Sequence, residues 1–85
     1  MSDYYIEEGF VTIVTDGTVP FGAVRSVRPH GRDELVIYIE NAGDFTIPYT
    51  AIKDVHSKKV ILDEKLLTVD IQNAILHSHI DEQPN

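Results

Sequence analysis

Short apolar runs, each broken within a few residues by Gly, Pro, Asp or Asn, fill the chain from Asp16 to Leu62, and this spacing is its tightest constraint. Asp16-Gly17 comes first, then Phe21-Gly22-Ala23-Val24 and Leu35-Val36-Ile37-Tyr38-Ile39. Ile47-Pro48-Tyr49-Thr50-Ala51-Ile52, a charged turn and Val60-Ile61-Leu62 complete the series. Runs this short do not sustain a helical stripe, but they suit strands joined by tight turns. The pattern predicts a mainly β fold, a small six-stranded antiparallel barrel.

Phe10 to Thr15 is rich in β-branched residues and stops at Asp16-Gly17, a strand followed by a turn. In the next strand Val24 and Val27 stand three apart and would face opposite sides of a regular ladder. A bulge near Arg25-Ser26 returns both to the core, and Gly22 reads as a position of close backbone approach. Pro29 to Asp33 is a loop. In Glu34–Glu40, the strongest strand, Leu35, Ile37 and Ile39 share the core face, while Val36 and Tyr38 take the other. Asn41-Ala42-Gly43 turns the chain into a strand with Phe45 and Ile47 inward, which Pro48 ends for want of an N–H. Tyr49–Ile52 reads as one helical turn or a tight bend leading to a short strand at Val55, and Ser57-Lys58-Lys59 as the turn before Val60. From there the period changes: Leu67, Ile71, Ala74 and Ile75 recur at helical spacing, with Thr68 or Asp70 as the cap. The expected division is an arm over 1–9, a barrel over 10–63, a helix over 64–80 and a tail over 81–85, all in one domain.

Eighty-five residues supply one core and not two. The 42% apolar content is that of a globular chain, and with no cysteine there is neither a disulfide framework nor a thiolate metal site. No apolar run approaches the roughly 20 residues of a membrane span. The acidic start lacks the n-region and h-region of a signal peptide, so a soluble, cytoplasmic protein is expected. A net charge of −7 repels nucleic acid and anionic lipid at long range.

Candidate chemistry is sparse. Arg25, Arg28 and Arg32 concentrate cationic charge in one segment and form a candidate anion contact, against the plainer reading of a solvated hairpin end balanced by Asp33 and Glu34. His77 and His79, two apart, fall on different faces of a helix; with Asp81 they form a ligand set only if that segment is extended. Asp16 with Asp44, or Asp54 with Asp63, are conceivable carboxylate pairs, but acidic residues at turns commonly serve the backbone. Tyr4, Tyr5 and Ile6 form an apolar patch that docks on the barrel, forms part of a dimer interface or hangs free as an arm. No nucleophile elbow, phosphate-binding loop or zinc-protease string is present, so neither a catalytic residue nor a cofactor is expected.

The order Asp16-Gly17, Phe21-Gly22-x-Val24-x-x-Val27, Ile47-Pro48-x-x-Ala51-Ile52 and Val60-Ile61-Leu62-Asp63 resembles PRC-barrel-like domains. Over residues 10–63 it is most similar to small stand-alone bacterial members of unassigned function. The resemblance implies a compact barrel of about six strands that serves as an adaptor. Relatives occur in a photosynthetic reaction-centre subunit and a ribosome maturation factor, and contact protein partners; stand-alone members bring no catalytic residues. The acidic arm and the final helix depart from the family pattern. The expected function is thus a non-catalytic protein-interaction module, with a homodimer as one form of it. Val36, Tyr38, Leu67, Ile71 and Ile75 are its candidate surface. The alternatives are a nucleic-acid accessory factor acting through Arg25–Arg32 and a small-ligand or metal sensor.

Overall fold

The protein is described here by a computed structural model covering residues 4–15, 17 and 19–78. Six strands form one sheet: β1 (Val11–Val14), β2 (Gly22–Val27), β3 (Glu34–Ile39), β4 (Gly43–Pro48), β5 (Ile52–His56) and β6 (Lys59–Leu62). A single α-helix, α1 (Val69–His77), follows them. Across the sheet the order is β4-β3-β2-β1-β6-β5, so the two edge strands are neighbours in sequence. Only a 3₁₀ turn, Tyr49–Ala51, joins them. Such a short link between opposite edges requires the sheet to curl until those edges approach, although no ladder pairs β4 with β5 among the described residues.

The fully antiparallel arrangement expected from the sequence is corrected here. β1 and β6 run parallel, from Val11 beside Lys59 to Val14 beside Leu62, while the other four pairings are antiparallel. The cause lies at Pro48–Ala51. A six-stranded meander reverses direction at every connection and would return β6 antiparallel to β1. Here the link from β4 to β5 is a corner that carries the chain on in the same sense, which removes one reversal. Pro48 has no N–H to continue the ladder, and Ala51, buried without exposure, anchors the corner in the core.

β2 carries the expected bulge. Its register against β3 shifts between Val24, opposite Ile37, and Ser26, opposite Val36. The extra residue, Arg25, is exposed; Val24 is buried and Val27 packs against the core. Gly22 is a true close approach, for a methyl group there would lie 1.7 Å from the Tyr38 carbonyl oxygen. Leu35, Ile37 and Ile39 of β3 have no exposed surface, nor do Ile47, Val60 and Leu62. Together with Phe21 they fill the inner face of the sheet.

Two segments cover this core. The first is the N-terminal arm, whose Ile6 and Phe10 are buried and whose Tyr4 hydroxyl donates to the Lys53 carbonyl at 3.1 Å. Gly9 N–H donates to Val24 O at 2.9 Å, so the arm reaches from β2 to β5. Of the readings left open for Tyr4–Ile6, the structure shows docking for Tyr4 and Ile6, while Tyr5 is exposed. The second is the C-terminal segment. The expected helix over 64–80 divides into a 3₁₀ turn at Glu64–Leu66 and the nine-residue α1. Asp63 caps the first by accepting from Lys65 N–H, and Thr68 caps the second by accepting from Ile71 N–H at 3.3 Å. Gln72 Nε2 donates to the carbonyls of Glu64 and Leu67, both at 2.9 Å, which ties turn and helix together. At the far end, Asn41 Nδ2 donates to Ser78 O at 2.8 Å and fastens α1 to the β3–β4 hairpin.

Candidate functional site

α1 has two apolar faces, and the structure assigns each a different environment. At 100° per residue, Ile71, Ala74, Ile75 and Ser78 cluster on one side, while Val69 and Leu76 lie opposite. Ile71 is buried along with Leu67, which precedes the cap, and Ala74 and Ile75 pack against the core. Leu67, Ile71 and Ile75 are therefore corrected as members of a binding surface. They cover the chain's own sheet, because the strand layer alone leaves that side of the core open to water. Val69 and Leu76 point away, 69% and 71% exposed, and Leu66 in the preceding turn is also largely exposed. The sequence held a signal for this face: once Ile71 and Ile75 face inward, helical geometry places Val69 and Leu76 on the far side.

Val36 and Tyr38 do not join that face. They lie on the outer side of β3, Val36 between Ser26 and Thr46, Tyr38 between Ala23 and Asp44. The Arg25 guanidinium sits 5.1 Å from the Tyr38 ring centroid and bonds Asp44 Oδ1 at 3.3 Å. Beside them is an open depression of about 440 Å³ lined by Glu8, Gly9, Ala23, Val24, Arg25 and Tyr38. Its one cation is already paired, and no nucleophile stands beside a base there.

The arginine segment is similarly engaged. Arg28 pairs with Asp33 at 3.0 Å and reaches the Gly31 carbonyl at 3.4 Å, folding back over its own loop. The sequence had assigned Asp33 to this balance; Asp44, nineteen residues from Arg25, does the rest in place of Glu34. The side chains of these pairs are half or more exposed, and such contacts stabilise by about 0–1 kcal/mol. Among the described residues Arg32 forms no ion pair.

Asp54 and Asp63 each serve the local backbone: Asp54 Oδ1 accepts from Val55 N–H and Asp63 Oδ1 from Lys65 N–H, while Asp54 Oδ2 lies 3.9 Å from His56 Nε2. Asp16, His79 and Asp81 lie outside the described residues, and with them the turn at Asp16 and the His77–His79–Asp81 ligand set. Among the described residues no three His, Asp or Glu side chains converge as a metal cage. No helix there is long and apolar enough to cross a membrane. Tyr5, exposed on the arm, donates to the Glu7 carboxylate and meets Phe10 edge-on at 6.3 Å between ring centroids. The hydrogen bond to Glu7 raises the phenol pKa above its ordinary value, with lesser contributions from desolvation and from the negative charge of Glu7.

No protein-family model matches the chain, and no curated protein or solved structure is similar to it.

Proposed function

We propose that this chain is a non-catalytic protein-interaction module, a small adaptor of the PRC-barrel-like kind, and that it binds through the outward face of α1. The observation that carries this reading is the exposure of Val69 and Leu76 on a helix whose opposite face is already buried. A surface helix needs one apolar stripe to pack on its own domain, and a second stripe is unused by the fold. The filled inner face of the sheet and the pairing of Arg25 and Arg28 both favour surface recognition over chemistry in an internal cavity. A cytoplasmic location accompanies this reading. The nucleic-acid alternative is less favoured, since a phosphate would have to compete with Asp33 and Asp44 in a chain of net charge −7.

The test compares the wild-type chain with the double variant Val69→Lys/Leu76→Lys. Both positions are exposed, so the melting temperature should move by only a few degrees. A partner retained by the wild type should be lost from the variant. Undiminished association by the folded double variant would show that this face is not the binding surface.

A further inference from the structure

The outward face of α1 has a pattern that fits itself. Val69 and Leu76 are seven residues apart, about two turns and about 10 Å along the axis. Asp70 and His77 repeat that spacing on one flank, a carboxylate near the N-terminal end and an imidazole at the C-terminal end. Asn73 lies midway and is exposed.

Resting on the interaction-module reading above, we propose that the occupant of this face is a second copy of the chain, with its α1 packed antiparallel across a two-fold axis near Asn73. Turning the second helix end for end sets Val69 against Leu76 of the second copy, and Leu76 against its Val69. The same operation carries a flank onto itself, so Asp70 meets His77 of the second copy twice over. An imidazole N–H donates to a carboxylate whether or not the ring is protonated. The two Asn73 amides meet at the axis, each with donors and an acceptor for the other. Such isologous contact is the commonest form of dimer symmetry. A parallel arrangement would instead carry each flank to the opposite side, so Asp70 and His77 of the two copies would not meet.

The strip is much smaller than the roughly 800 Å² per partner of a standard interface, so the pairing is weak. Each copy also carries −7, and this repulsion is long-ranged and screened by salt. Apolar association between like-charged chains therefore tightens as salt rises, opposite to what a basic partner would show.

The full chain provides a direct test because it contains no cysteine. Sedimentation equilibrium from micromolar to millimolar protein should show a monomer–dimer equilibrium that strengthens with NaCl. Asn73→Cys should cross-link to itself on oxidation. A mixture of Val69→Cys and Leu76→Cys chains should form the mixed disulfide faster than either symmetric one. A monomer at every concentration and salt would overturn the self-pairing, as would symmetric Val69→Cys cross-links dominating the mixture. Neither result would touch the module reading, which stands or falls on partner loss in the double lysine variant.

Discussion

The β2–β3 ladder and the segment from Asp63 to Ser78 meet the same core under different rules. Along β3 side chains alternate strictly, so placing Leu35 inside also places Ile37 and Ile39 inside and puts Val36 and Tyr38 outside. Steric limits there are absolute: Gly22 faces a carbonyl oxygen where a methyl group has no room. The C-terminal segment has apolar residues on both sides of its helix, and only packing decides which side is buried. A ladder position can thus be read from its neighbours, whereas a helix position also requires knowledge of what lies beneath it.

The largest effect should come from Gly22→Ala, which forces β2 and β3 apart. A loss of about 3 kcal/mol or more is expected in chemical denaturation, and a tolerated substitution would mean that the ladder can slip. Next, Ile71→Ala should cost about 2–4 kcal/mol, as for a buried aliphatic truncated in a core. Removing the Thr68 hydroxyl in Thr68→Ala should lower stability by about 1 kcal/mol through loss of the α1 cap, with the loss visible in helical circular dichroism. In the sheet, the Thr12 hydroxyl is buried with no hydrogen-bond partner among the described residues. Thr12→Val should therefore raise stability by about 1 kcal/mol, and a fall in melting temperature would show that the hydroxyl has a partner in solution. Smallest of all, Leu76→Ala should alter stability by no more than about 0.5 kcal/mol. If it matched Ile71→Ala, the assignment of the two helix faces would be reversed.

Much of the strand layer was legible in the residues. The spacing of Val24 and Val27 required a bulge, and the register shift falls at Arg25. Tyr49–Ile52 reads as a helical turn or tight bend, and a 3₁₀ turn lies at Tyr49–Ala51; Thr68 is one of two residues that read as the cap, and its side chain accepts from Ile71 N–H. The direction of β6 was not legible, because whether the link after Pro48 is a hairpin or a corner depends on where the chain goes next. The outward face of α1 was legible only in part. The stripe through Leu67, Ile71 and Ile75 reads as apolar and as a candidate interaction surface, but no local pattern distinguishes a stripe that packs at home from one that does not.

Local chemistry in the chain determined the strands, the bulge, the glycine contact and the helix cap. Each follows from forces acting over a few residues: alternation along a strand, the missing Cβ of Gly22, and the reach of a threonine hydroxyl to a nearby amide. Tertiary structure alone decided the parallel β1–β6 pairing, the docking of Tyr4 on Lys53 and the pairing of Arg25 with Asp44. It also decided which face of α1 meets water. These contacts join residues 19 or more apart in the chain, so each depends on how whole strands and segments pack and not on forces acting over a few residues.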